Sequence, residues 1–391
     1  MIRKKGKQIL LGCLAFFLCS SCTSGKDLLL EKRFHTDEYL PQYDMPLDYQ
    51  TSAGAVCKDG DSYYYVGVGG SLIYYYDEVS QNSGVLCARP DCTHDTTSCN
   101  AYVNYCGLQI YDGMLYFMGQ PGVLYRMNLD GSNRESVMNV RNLGGTSAKF
   151  AIHRGYIYTS VMASEVAGGQ PKIRYTLCQQ VLGQTDSLKT IFEQTYEQVM
   201  TEQWILKGNQ LYLMMHHYLG DLFSNELFCY RIQNEKMETV WEETSEWYAM
   251  DFEVDDTGVD MLRKNMLDIG FQSVRLDQKT KTLQERFVLE DSYLKDGLLA
   301  EDSILWYGMI NKSSTAPEYK ILDLQGNIQM EGEFPSEARQ DYAYLKGYGS
   351  DETGYILEIL TMKKERWLLR LPYDGSSVQI LISCKDNVNI I

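Results

Sequence analysis

Gln109 to Val137 reads QIYDGMLYFMGQPGVLYRMNLDGSNRESV, and this stretch decides the fold. An apolar strand runs into a tight Asp112-Gly113 turn, an alternating strand follows, then a short loop, a third strand, the turn Asp130-Gly131-Ser132-Asn133 and a fourth strand. Four strands joined by three turns make one blade of a β-propeller.

The same order recurs along the chain. The first turn returns near Asp59-Gly60, Asp112-Gly113, Arg154-Gly155, Gly208-Asn209, Thr257-Gly258, Glu301-Asp302 and Thr353-Gly354, at steps of 53, 42, 54, 49, 44 and 52 residues. Propeller repeats commonly span roughly 40 to 50 residues. The third turn returns as LYRMNLDGSN from Leu124, YKILDLQGNI from Tyr319 and LLRLPYDGSS from Leu368, with looser copies from Leu227 and Val274. The spacing predicts an all-β chain of seven four-stranded blades over residues 51–391, with six or eight also compatible; a β-sandwich array competes but does not explain two turns recurring at fixed places. Residues 191–201 and 244–250 could each form a turn or two of helix.

Closing a ring has a physical cause. Each blade has two apolar faces, which only neighbours on both sides can cover. Strands such as Leu211 to Met215 and Ile304 to Tyr307 are apolar nearly throughout, as doubly covered strands should be. The tyrosines of Tyr63-Tyr64-Tyr65 and Tyr74-Tyr75-Tyr76 are accordingly assigned to packing between blades, with a sugar-stacking platform as the alternative.

The first 22 residues have the layout of a secretory leader: Arg3, Lys4, Lys5 and Lys7, then the apolar run Ile9 to Leu18, then Cys19-Ser20-Ser21-Cys22. A run of about ten residues is short of the roughly 20 that a spanning helix needs. Ser20-Ser21-Cys22 resembles the lipobox of bacterial lipoproteins, with Cys19 where that motif usually has Leu. Residues 1–21 are therefore expected to be a signal peptide, Cys22 the lipidated residue, and residues 22–50 a tether and lead-in. This places the protein on a membrane by its lipid, facing away from the cytoplasm. The formal charge is −16, and loss of four basic leader residues makes the mature balance −20. Nucleic acid is excluded as a partner, since phosphate binding needs clustered Lys and Arg. Cationic or neutral ligands fit the overall sign better.

In a propeller the first and third turns of each blade open on one face, and the second turns and blade-to-blade links open on the other. The second set holds the longer segments 163–172, 216–225, 264–270 and 311–317, so a binding surface for a protein, peptide or glycan is expected there. Trp204, His216, His217, Tyr218 and Asp221 are the candidate binding residues. Neighbouring strand residues point to opposite faces, so His216 and His217 should not share a metal.

The sharpest chemical feature is the insert Cys87 to Cys99, CARPDCTHDTTSC, with Cys106 beyond it. Cys87, Cys92, His94 and Cys99 offer the thiolate and imidazole ligands that zinc prefers, whereas outside the cytoplasm cysteines more often pair as disulfides. A structural zinc site and a disulfide staple both stand as readings. Cys57, Cys178, Cys229 and Cys384 fall in strand patterns and are assigned to the core. No G-x-S-x-G, HExxH, P-loop or convincing paired-carboxylate signature is present; Asp255-Asp256 and Asp351-Glu352 lie in turns, where acids are commonly structural.

With the leader ending at Cys22, the blade ending LYRMNLDGSN and the insert LCARPDCTHDTTSC, the chain resembles bacterial lipoproteins with TolB-like propellers, a family of unknown function. The resemblance covers most of residues 54–384 and implies a fold and an address. It carries over no catalytic residues. Two functions follow as expectations: a non-catalytic binding module at the cell surface, or an envelope enzyme, a glycan hydrolase or lyase, with its site at the channel mouth. An enzyme should bring carboxylates or histidines from different blades to that mouth.

Overall fold

A computed structural model describes residues 34, 36–45, 55–67, 70–103, 107–120, 122–140, 149–198, 201–265, 270–290, 294–308, 318–336 and 342–385. Among them are 28 strands in seven antiparallel sheets of four, each built from consecutive strands. The blades occupy residues 56–85, 108–139, 150–196, 201–245, 247–290, 294–333 and 342–385. All seven expected first turns connect the first and second strands of a blade. No helix is long and apolar enough to cross a membrane among these residues.

The apolar interior is divided among the seams between blades. Six clusters of buried side chains each draw on neighbouring blades. One joins Tyr158 and Leu177 of blade three to Leu211 and Leu213 of blade four, and another joins Leu262 of blade five to Trp306 of blade six. Tyr63, Tyr64, Tyr65 and Tyr74 are buried in the cluster that also takes Tyr348 and Leu368 from blade seven, so the tyrosine runs do pack between blades.

Among the described residues each sheet is built from consecutive strands, and blade seven meets blade one through side chains. The Tyr63 hydroxyl donates to Asp351 at 2.5 Å and accepts from Arg370 at 2.8 Å, and Lys58 pairs with Glu352 at 2.6 Å. Asp351 is buried, which works against its charge, but hydrogen bonds from Thr353 and Tyr63 prevail and hold its carboxyl below the usual range.

Two expectations are corrected. The supposed helical turns are strands, Lys189–Tyr196, Lys236–Ser245 and Trp247–Val254. Each pairs along its length with a neighbouring strand of its blade, so sheet hydrogen bonding wins over a local helix. The supposed long loops 163–172 and 216–225 are the ends of long hairpins, Tyr156–Ala167 with Gln170–Val181, and Gln210–Leu219 with Leu222–Arg231. Pairing runs unbroken to tight turns at Gly168-Gly169 and Gly220-Asp221. Residues 266–269 and 311–317 lie outside the described residues, as do Cys22, the leader and Cys106.

Part of the lead-in is built into the ring. Phe34 and residues 36–45 lie across the first turns of blades two, three and four: Asp112 N–H donates to the Gln42 carbonyl, Arg154 N–H to the Tyr43 carbonyl, and Met45 N–H to His153 Nδ1. Arg154, almost fully buried, grips Asp44 with Nε and a terminal nitrogen at 2.6 and 2.9 Å and donates to the carbonyls of Phe34, Thr36 and Glu38. A buried guanidinium needs this full set of acceptors, because each unpaired donor would carry its desolvation cost.

Candidate functional site

The first strands of neighbouring blades touch one another and so form the inner ring around the central channel. Near the start of these strands, on the face where the long hairpins stand, the structure places Lys149 just before blade three, Glu202 in blade four, Asp296 in blade six and Lys346 in blade seven. Each is only half-buried. Protein nevertheless crowds them: desolvation pushes the Lys149 ammonium down to about 8 although Glu202 opposes this, and Lys346 adds to the fall. Desolvation also pushes the Asp296 carboxyl up, against a hydrogen bond from Gly297 and the charges of Lys264 and Lys346. Blades three and seven are not neighbours, so Lys149 and Lys346 can sense each other only across the channel. Side chains that are crowded yet open to solvent are what a channel lining requires.

Glu202 is fixed from blade three. Ser160 Oγ donates to it at 2.6 Å and the Tyr175 hydroxyl donates to its other oxygen. Lys149 Nζ sits 5.1 Å from the centre of the Trp204 ring, and Lys346 Nζ 5.4 Å from that of Tyr348. This ring was not legible as a site in the sequence. Aligning the repeats on their first turns brings Lys149, Asp296 and Lys346 to nearly one level, which is the signal that could have found them.

The five candidate binding residues do not converge. Trp204 is a buried strand residue whose indole nitrogen has no hydrogen-bond partner among the described residues. His216 is buried against Thr201 and Tyr248, and desolvation pushes its imidazole down to about 4, so it is neutral at pH 7. His217 points the other way, against Tyr196 and 4.0 Å from Glu226, as strand geometry requires. Tyr218 packs on Phe223 at 4.7 Å, and Asp221 stands exposed at the hairpin tip. The hairpins of blades three and four thus form a wall beside the mouth, with Trp204 beneath Lys149 as the one candidate that reaches the inner ring.

The cysteine insert does converge. One ligand atom from each of Cys87, Cys92, His94 and Cys99 lies within 4.8 Å of all the others, and His94 Nδ1 is 3.4 Å from Cys99 Sγ. A tetrahedral zinc with Zn–S near 2.3 Å and Zn–N near 2.0 Å separates its ligand atoms by roughly 3.5 to 3.8 Å, so small adjustments suffice. The three cysteines are free thiols. One disulfide among three thiols would strand the third beside the imidazole, whereas one metal uses all four groups. Backbone N–H groups of Arg89 and Asn100 point at Cys87 sulfur, and with the neighbouring thiols they outweigh burial and hold this thiol below its ordinary range. His94 occupies the left-handed region at φ 59°, a conformation rare outside glycine that turns its ring toward the thiols.

The insert is moored to its surroundings. Arg134 donates to the carbonyls of Cys99 and Asn100, and both Asn100 Nδ2 and Ala88 N–H donate to the Gly131 carbonyl in the third turn of blade two. Its returning arm pairs with residues 71–73 of blade one, through Ile73 N–H to Ala101 and Val103 N–H to Ser71. The cluster therefore sits on the outer seam between blades one and two, and only the returning arm runs along the long-hairpin face.

No family model matches the chain, and no curated protein matches its sequence. Among solved structures it is similar to a puromycin hydrolase (TM-score 0.54, 14% identity), covering 89% of this chain and 57% of that one. It is also similar to an oligogalacturonate lyase from Vibrio parahaemolyticus (TM-score 0.50, 9% identity), covering 88% of this chain and 92% of that one. A third is prolyl oligopeptidase B from Galerina marginata (TM-score 0.52, 10% identity), covering 88% and 53%. The chain thus spans little more than half the length of the hydrolase and the oligopeptidase. At these identities the likeness concerns the β-propeller fold alone.

Proposed function

We propose that this chain is a lipid-anchored envelope protein whose propeller is a non-catalytic binding module, taking a peptide, glycan or partner protein on its long-hairpin face. One observation carries the reading. Blades three and four extend their middle hairpins far beyond what ring closure needs, on the face where the inner ring presents its charged groups. A glycan and peptide array probed with residues 22–391 tests it: specific binding is expected, and it should vanish when both hairpins are cut back to the length of that in blade two, Met114–Gln120 with Val123–Asn128. Loss of fatty-acid incorporation in Cys22→Ala tests the anchor.

A second reading, an envelope enzyme such as a glycan hydrolase or lyase, is favoured by Glu202 and Asp296. These carboxylates come from different blades, and the raised Asp296 could hold a proton for general-acid work. Propeller folds of this kind occur in enzymes, one of them a lyase. Turnover of an array hit that survives in Glu202→Gln and Asp296→Asn would remove this reading.

The Cys87, Cys92, His94 and Cys99 cluster is proposed to hold one structural zinc. Four protein ligands leave no open position, so the metal would staple the seam between blades one and two and not act on substrate. Elemental analysis should find one zinc per chain. His94→Ala together with Cys92→Ser should abolish it and lower the melting temperature, while a reductant alone should leave both unchanged.

A further inference from the structure

The chain carries 52 acidic against 36 basic side chains, so its arginines are well supplied with partners. Every described arginine but one lies within ion-pair distance of a carboxylate. The exception is Arg134, just before the last strand of blade two, Glu135–Asn139. No carboxylate among the described residues pairs with it, and residues 104–106 and 141–148, which follow the insert and the blade, contain neither Asp nor Glu.

Arg134 is nonetheless held in place. It is half-buried, with its guanidinium carbon 4.7 Å from the centre of the Tyr125 ring and 5.2 Å from that of Phe117. Gly119 gives it room, because a Cβ there would come within 2.5 Å of its Nη2. Nη1 donates to the carbonyls of Cys99 and Asn100 at 2.7 and 3.2 Å. Aromatic faces and neutral carbonyls offset part of the cost of taking a guanidinium out of water, but an opposite charge is needed to complete the compensation.

Such a charge arises when the neighbouring cluster is filled. Covalent geometry puts the Cys99 sulfur within about 7 Å of a donor bonded to the same residue's carbonyl, and the ligand atoms of Cys87, Cys92 and His94 all lie within 4.8 Å of that sulfur. Three thiolates, a neutral imidazole and a divalent ion sum to a single negative charge. The insert's other guanidinium is otherwise engaged: Arg89 is exposed and has Asp91 at 3.9 Å.

We propose that Arg134 is the counter-charge of the metal centre, so that zinc affinity depends on a side chain that never touches the ion. This rests on the structural-zinc reading and adds to its four ligands the cation that balances them. Unit charges about 7 Å apart at an effective dielectric of about 20 shift a binding equilibrium by more than tenfold.

Zinc affinity of residues 22–391, measured by competition with a chromophoric chelator, provides the test. Arg134→Gln keeps a donor for the two carbonyls and loses the charge, whereas Arg134→Lys keeps the charge and loses the planar fork. Arg134→Gln and Arg134→Met should each weaken zinc tenfold or more, and Arg134→Lys should stay within threefold of the wild type. The gap between wild type and Arg134→Gln should narrow in about 1 M salt, which screens a charge interaction and leaves a purely steric role unmoved. Cobalt(II) loaded in place of zinc should give the same tetrahedral absorption in all four proteins, because the ligands are unchanged. Wild-type affinity in Arg134→Gln would overturn the proposal, as would Arg134→Lys as weak as Arg134→Met with a gap that salt does not alter; either result would reduce Arg134 to a mooring of the insert. Wild-type protein that holds no zinc would overturn the metal reading itself, which is seen before any Arg134 variant is made.

Discussion

At the scale of single residues, the acid response of this protein is set by two buried imidazoles. His153 donates from Nε2 to the Gly208 carbonyl at 2.7 Å and accepts at Nδ1 from Met45 N–H at 3.1 Å, an arrangement only the neutral ring can make. Desolvation pushes it down to about 4 despite the pull of Asp44, and burial does the same to His216. An imidazole in the unfolded chain titrates near 6.5. Between those values the unfolded state binds a proton that the folded state refuses, so stability is complete above about pH 6.5 and falls as pH drops toward 4. Each histidine contributes a loss of about 3 kcal/mol across that window at 1.36 kcal/mol per unit. In urea unfolding measured from pH 7.5 to 4, His153→Gln, whose amide can still donate and accept, should show about half of the wild-type decline. An unchanged slope would show that other groups govern the acid response.

At the scale of elements, the turns explain why so much of the fold was legible. Asp112-Gly113 and Arg154-Gly155 both hold positive φ at their two central positions, the tight hairpin geometry that a right-handed strand twist favours, and such turns leave a mark in the sequence. Alternation within strands leaves another. The outer strands left a weaker one. In blades two to seven the third strand slips register against the fourth, at Leu124/Tyr125, Leu177/Cys178, Leu227/Phe228, Ser273/Val274, Ile321/Leu322 and Leu368/Leu369. Such a bulge increases the local twist that lets the outer strand splay over its neighbour, and it breaks the period that pattern reading depends on. Lys189–Tyr196 is one of these outer strands, which is why it could be taken for a helical turn. The cysteine insert was legible as ligands but not as a place, because its moorings come from Arg134 and Gly131 of the following blade. Gly131, at φ 80°, stands where a Cβ would lie 2.8 Å from the Leu86 carbonyl carbon and oxygen. Gly131→Ala should therefore cost about 1–3 kcal/mol through strain at positive φ. It should also lift the insert off its seam, seen as faster maleimide labelling of Cys87 and Cys92 in metal-free protein. Labelling at the wild-type rate would show that the turn does not hold the insert.

At the scale of the whole molecule, the buried Arg154–Asp44 clamp gives the ring a direction. It fixes the arm of residues 36–45 across the first turns of blades two to four, the face opposite the long hairpins. With lipid on Cys22, 11 residues separate the anchor from Phe34, and a fully extended chain over that interval reaches only about 40 Å. The 12-residue strands of blade three alone rise about 40 Å, so reaching the hairpin side past this blade would take the whole extended tether, whereas the first-turn side needs little of it. The first-turn face should then rest toward the membrane and the hairpin wall, with the channel mouth beside it, should face outward where diffusing ligands arrive. Epitope tags inserted at Gly168-Gly169 and at Glu301-Asp302 test this on intact cells: antibody should reach the hairpin tag freely and the first-turn tag only after detergent release. Arg154→Met, which frees the arm, should make the two equally accessible while the protein stays membrane-bound. Cys22→Ala should release the domain and expose both tags, which separates failure of the anchor from failure of the orientation. Equal access in the otherwise unaltered lipidated protein would show that the clamp sets no direction.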